Sequence, residues 1–494
     1  MRRPARHNAT RMRSVPSTLR PWLLILPVGA ALLGAAIAAP EITIRLVPLL
    51  ILIPAALLLY EYPLAFAVLL VATYGLGVDF ELARMASSAV RDGTEEAAAS
   101  GASEGLGALG AAVVKVMPFV LAAMLTVRYG FASAVNWPFL AFAAIAATSI
   151  VVLPMGRVVD LPEMVRSFLG STAPFVLAFA AAPRRLWSLL CKGVVAVPLV
   201  SAAVGVLYDL IGPHFAVDPI YGRFQGMHSA PFLAGFVVTA IFACTLEYLR
   251  GFRPIWLVLG AANLLVLFAT QARAPTTTVA LFLLLVFIAA RDRIFPLRRK
   301  ADLVMGGMLP GLIVLGPAFL YALDRFIGSD GEFNYSGRDV IWPYFVDAIE
   351  ARPLFGYGLG AGKLIVDPDD PQIRLIRSNA AHNEYLRLAV DAGVVGCAAI
   401  FAGIVAWIWG GTRRTARTER VVLRCALVAA LFHAAFDNVL IATTGVVQFI
   451  WFTAAMARSR LEVRTAPGAA PLPSRPRRGA PAAAGGGGGR RGAA

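Results

Sequence analysis

Apolar runs of about 17 to 25 residues recur along almost the whole chain, and a helix of that length is what crosses the hydrocarbon core of a bilayer. Inside lipid every backbone N–H and C=O must find its partner within the segment, so such a chain folds as a bundle of transmembrane helices. The runs lie near 21–40, 44–60, 62–79, 112–130, 137–156, 167–183, 187–212, 231–249, 254–270, 275–290, 302–322, 393–410, 421–438 and 440–457. The expected fold class is therefore an all-α polytopic membrane protein with about fourteen transmembrane helices. Composition agrees: 58% hydrophobic and 15% charged residues leave too little charge to cover a soluble globule. Run 167–183 is the weakest, and Pro154, Pro174, Pro198 and Pro310 interrupt their runs.

A net charge of +16 would, in a soluble chain, raise nucleic acid as a partner. Here the arginines cluster in short loops, so they report topology and no nucleic acid is expected. Arg2 to Arg20, Arg184 and Arg185, Arg250 and Arg253, the run Arg291 to Lys300, the run Arg413 to Arg424 and the basic tail all fall on one side if the crossings alternate. The positive-inside rule names that side cytoplasmic, with both termini on it. Loops 80–111, 213–230 and 323–392 then face the other side, which makes 323–392 the longest periplasmic loop. The chain divides into a basic N-terminus 1–20, a transmembrane bundle 21–212, a second transmembrane region 213–457 and a basic tail 458–494. Composition marks loop 80–111 as flexible and the tail as disordered, and the first helix is expected to be retained rather than cleaved. The four cysteines sit inside apolar runs without metal or redox spacing and are expected to be buried thiols.

The long loop carries the polar groups of interest. From Asp339 to Arg352 the spacing puts Ile341, Phe345 and Ile349, with Trp342 and Val346, on one stripe of an amphipathic helix; Pro343 fits only near its start, and Pro353 and Gly356 stop it. The turn FGYGLGAG, 355–362, either cradles a phosphate with its backbone or is a plain Gly-rich turn, and it lacks the Lys-Ser/Thr of a nucleotide loop. A second short helix starts after Ser378 or Asn379 and ends near Gly393, which puts His382 in its first turn. The positive end of a helix disfavours imidazolium, so His382 is either a general base or a surface ring packed beside Tyr385 and Leu386. The acidic run 367–371 reads as an exposed loop rather than a metal site, and no metal or cofactor is expected.

Arg223 in YGRFQG and Arg338 in SGRD share the side of His382, and Arg273 in TQARAP tops a hairpin between two runs. A planar guanidinium holds a phosphate through two parallel hydrogen bonds, so several converging would make a diphosphate site; singly, each equally well reaches headgroups or a carboxylate. In FHAAFDNVL, His433 and Asp437 stand one turn apart near the outer end of run 421–438. Such a pair is either functional or an interhelical hydrogen bond.

Taken in order, YGRFQG, TQARAPTTTVALFLLL, SGRDVIWPYFVDAIEARPLFGYGLG, AHNEYLRLAVDAGVVG and LFHAAFDNVL resemble the O-antigen ligase and polymerase superfamily over about residues 220–445. The resemblance implies a GT-C-like helical bundle in a bacterial inner membrane, and a donor glycan on undecaprenyl diphosphate. It implies transfer of that glycan to lipid A-core or to another lipid-linked acceptor, with Arg223 and Arg338 gripping the diphosphate. It also makes His382 the catalytic base, and Arg273, Asn383, Tyr385, His433 and Asp437 are the further substrate-binding candidates. The segment after YGRFQG departs from the family pattern: MHSAP stands where an Asn-containing stretch is expected, and His228 is the residue available to fill that role. Two other classes stay open. A transporter would use His433 and Asp437 as a proton or substrate path, and a non-catalytic assembly subunit would use the amphipathic helix for docking.

Overall fold

The computed structural model describes residues 60–78, 96–133, 135–151, 159–211, 216–218, 222–291, 293–308, 337–367, 370–371, 373 and 380–465. Within them the chain forms fourteen α-helices, and the only β-type pairings among them are two isolated bridges. We number them α1 (Pro63–Gly75), α2 (Glu96–Tyr129), α3 (Trp137–Val151), α4 (Leu161–Thr172), α5 (Arg184–Gly193), α6 (Ala196–Ile211) and α7 (Ala230–Gly251). Then follow α8 (Ile255–Thr270), α9 (Arg273–Ala289), α10 (Leu297–Leu303), α11 (Arg338–Ala351), α12 (Glu384–Thr412), α13 (Arg417–Ala434) and α14 (Thr443–Thr465).

Helices α7 and α12 are each long and apolar enough to cross a membrane, and α5 with α6 would make a third span bent by 48°. Shorter apolar helices are α1, α3, α8 and α9. Expected runs 21–40 and 44–60, except Tyr60, and most of 302–322 lie outside the described residues, as do the N-terminus and the tail beyond Thr465.

Four expectations change. Residues 96–111, read as flexible loop, form the first half of α2. An apolar helix already nucleated at 113–129 extends through Ala97, Ala98, Ala99, Ala102, Ala108 and Ala111 more readily than an isolated peptide would start one; 80–95 lies outside the described residues. The weak run 167–183 is not one helix: α4 ends at Thr172, a 3-10 turn covers Ala173–Phe179 around Pro174, and Ala180 is extended. The run 187–212 breaks between α5 and α6, where Pro198 withholds the N–H that would bond back across residues 194–195. The start of the supposed tail, 458–465, is the last part of α14.

Helix α7 is buried nearly all round, so it needs no polar face, and α5, α6, α8, α9, α13 and α14 pack about it. Its end marks one pole of the bundle. There Arg250 Nε lies 3.1 Å from Glu419 Oε1 at the start of α13, Arg184 Nη2 lies 2.8 Å from Glu462 Oε1 of α14, and Arg250–Glu462 and Arg458–Glu247 pairs complete the cluster. Its beginning lies at the other pole, where a Cβ on Gly235 would stand 2.8 Å from Thr444 Cγ2. Since α7 is about 33 Å long, the end of α13 and the start of α14 are a bilayer's thickness from the ionic cluster. The four cysteines are buried and reduced.

Candidate active site

Helix α13 ends at Ala434, and the chain turns before α14 begins at Thr443. Asp437 sits in that turn, one helical step beyond its expected partner: His433 Nε2 is 4.0 Å from Asp437 Oδ2. From the long loop, His382 presents Nδ1 3.6 Å from Asp437 Oδ1. From the start of α11, Arg338 donates Nη2–H to the Phe436 carbonyl at 2.9 Å, across 98 residues of sequence. Asp437 acts on the charge of Arg338 as well. Three segments far apart in the chain thus converge on residues 436–437.

Local chemistry explains how His382 gets there. Helix α11 begins one residue earlier than expected, at Arg338, behind Gly337, whose φ of 77° only glycine adopts without cost. It buries Ile341, Phe345 and Ala348, while Val346 of the expected stripe stays exposed. Trp342 donates its indole N–H to the Ala381 carbonyl at 2.8 Å, which fixes the residue before His382. Then Asn383 caps α12, its Oδ1 accepting from the N–H groups of Tyr385 at 3.0 Å and Leu386 at 3.2 Å. The expected first turn is therefore displaced: Ser378 and Asn379 lie outside the described residues, and His382 stands just before the cap with a left-handed φ of 44°. Tyr385 donates to the Leu431 carbonyl at 2.9 Å and stacks on Phe401, joining the loop end of α12 to α13. Gly393 has non-helical dihedrals, so the expected stop exists as a kink within α12.

The Gly-rich turn is committed to the protein itself. Gly362 N–H donates to Asp391 Oδ1 at 2.7 Å, Gly358 N–H to the Asp391 carbonyl at 3.0 Å and Tyr357 N–H to the Val390 carbonyl at 2.9 Å. The phosphate-cradle alternative falls, because a carboxylate already occupies the place a phosphate would take. Arg387 bridges Glu384 and Asp391, and all three are buried. Within the acidic run, Asp370 accepts from the Tyr344 hydroxyl at 2.6 Å. Among the described residues no group of three or more His, Cys, Asp or Glu is arranged to hold a metal ion.

Arg223 and Arg273 lie on a second pair of segments, a hairpin and the start of α9, both beside the end of α8. Val217 and Phe224 bridge a short hairpin, and Phe224 N–H donates to the Ala269 carbonyl at the end of α8 at 3.0 Å. Arg273 opens α9 just after the left-handed Gln271. His228 does not replace the missing asparagine as a site group: it is buried, with Nδ1 2.8 Å from Ser201 Oγ and its ring against Phe236. A small hydroxyl on α6 and an aromatic on α7 make that position a packing site.

The sequence reading missed Glu163, Lys363, Glu384, Arg387 and Asp391. Glu384, Arg387 and Asp391 share one helical face, a pattern visible in EYLRLAVD but silent about burial.

Residues 256–401 match the family model described as O-antigen ligase. The matched segment contains Arg273, Arg338 and His382, whereas Arg223, His433 and Asp437 flank it. No curated protein matches the chain. The match runs from α8 into α12, less than a third of the chain, and over that segment this helical membrane protein is similar to the O-antigen ligase family.

Proposed function

We propose that this protein is a periplasm-facing glycosyltransferase of ligase type in a bacterial inner membrane, with both termini cytoplasmic. It moves a glycan from undecaprenyl diphosphate to a hydroxyl of lipid A-core or a similar acceptor. The observation that supports this most is the meeting of His382 and Arg338, from the long loop, with Asp437 at the end of α13. The family model over 256–401 supplies the reaction class.

In this reading Asp437 faces Nδ1 of His382 and sets the tautomer, so Nε2 is the ring atom that takes the proton. The 3.6 Å separation is longer than a hydrogen bond and shortens when substrate closes the site. Nε2 removes the proton of the acceptor hydroxyl, whose oxygen attacks the anomeric carbon as the bond to the diphosphate oxygen breaks. The electron pair leaves with the diphosphate. Arg338, with Arg223 and Arg273, stabilises that growing charge. Asn383 and Tyr385 keep the imidazole in place, and His433 adds a second imidazole beside Asp437. No metal or nucleotide takes part in this scheme.

The polymerase reading uses the same groups on a lipid-linked acceptor, and the family segment serves both. A deletion strain separates them: long chains accumulating unligated on the carrier mean ligase, and single-repeat products mean polymerase. Complementation with His382→Ala should restore no surface glycan at wild-type protein level. Full restoration would defeat the catalytic reading and favour an assembly subunit.

A further inference from the structure

The loop that carries His382 is gripped by helices outside the family-matched segment. Leu359 N–H donates to Ser149 Oγ of α3 at 3.1 Å. Lys363 Nζ reaches two groups on α4, Glu163 Oε1 at 2.6 Å and Ser167 Oγ at 2.9 Å. A Cβ on Gly360 would stand 2.9 Å from Ser167 Oγ, so the turn and α4 touch. From the turn, contact passes to the loop end of α12 through Gly362 and Asp391. Arg387 then links Asp391, at 2.8 Å, to Glu384, the residue after the Asn383 cap. Charged groups buried this deeply hold their geometry tightly, because any displacement leaves a charge without its partner.

We propose that Glu163, Lys363 and Asp391 are positioning residues: the N-terminal helices aim the His382 imidazole by holding the turn that Asp391 couples to the start of α12. This rests on His382 being the base. It predicts that activity depends on a charge pair outside the O-antigen ligase segment at one partner and inside it at the other.

The test uses the full chain in lipid nanodiscs, with lipid-linked glycan extracted from a deletion strain as donor and undecaprenyl diphosphate as binding probe. Glu163→Lys and Lys363→Glu singly should speed hydrogen exchange at residues 359–363 at least tenfold. They should lower kcat between about ten- and a hundredfold, as a slightly misplaced catalytic group does, with KM for donor and affinity for undecaprenyl diphosphate within twofold of wild type. The double variant should restore both exchange and kcat. Asp391→Asn should lower kcat with undecaprenyl diphosphate affinity unchanged, and Asp391→Glu should recover part of the loss. Single variants with wild-type exchange, a loss carried by KM alone, or a folded double variant as slow as the singles would overturn the proposal. Retained turnover in His382→Ala would defeat the catalytic reading instead, and the exchange data would still decide whether the grip exists.

Discussion

His382 holds a left-handed backbone, φ 44°, in a residue that has a Cβ. That conformation costs about 1–2 kcal/mol for a non-glycine residue, so the protein accepts local strain to aim this ring. His382→Gly is therefore expected to raise Tm slightly while abolishing transfer, a trade that a surface histidine would not show. Thermal melts beside a glycan assay check it, and unchanged transfer would sink the role. Asp437→Asn keeps shape but loses the carboxylate that faces Nδ1, and transfer should fall by about 10² or more, in line with the contribution of an oriented base. Arg338→Lys replaces a planar fork by a point charge and should weaken undecaprenyl diphosphate binding, because the fork both reaches the Phe436 carbonyl and offers paired donors. His382, Arg338 and Asp437 were readable as candidates from residue type and motif. Their meeting was not, because 98 residues separate Arg338 from Phe436 and local periodicity carries no information across that distance.

Among the elements, the loop end of α12 depends on its cap and its kink. Removing the Asn383 side chain should cost about 1 kcal/mol, the usual value of such a cap, and loosen the 382–386 amides in hydrogen exchange. Gly393 has φ 65°, and a Cβ there would stand 2.1 Å from the Leu354 carbonyl oxygen, so Gly393→Ala should leave little folded protein. The grip of α4 on the loop predicts a pH response. Burial pushes the Glu163 carboxyl up, but the hydrogen bond and charge of Lys363, helped by Ser167 and Arg166, hold it below its ordinary value of 4.5. Its contribution is therefore fully present above that value and is lost as pH falls through the lowered one. Exchange at residues 359–363 should stay slow at neutral pH and rise only in that acid range, and Glu163→Gln should remove the dependence. Element types were legible here: the amphipathic helix was placed within one residue, because apolar spacing and Pro353 are local signals. Residues 96–111 were misread, because Gly-rich sequence argues for a loop only when no neighbouring helix can extend through it.

For the whole molecule, the ionic cluster at the pole opposite Asp437 is a lock between helices. Glu247 and Arg458 are both buried, so removing one partner strands the other: Glu247→Gln should destabilise by about 3–5 kcal/mol. Arg184 is 62% exposed, and Arg184→Ala should change stability by less than about 1 kcal/mol. Denaturation in detergent checks the contrast, and equal effects would mean that the cluster is not a lock. Among the arginines read from sequence only as topology markers, Arg458 is buried and Arg250 half-buried, and each pairs with an acid on another helix.

The order of apolar runs determined that this chain is a helical membrane protein, since lipid leaves the backbone no other partner than its own helix. The motifs between them carried the resemblance that the family match over residues 256–401 supports, and marked side chains as candidates for chemistry there. Only the tertiary structure decided that the end of α13 supplies the carboxylate facing His382, that the Gly-rich turn wraps Asp391 rather than a ligand, and that α4 holds the loop. Those outcomes depend on burial and on contacts between distant segments, and both arise only when the helices pack.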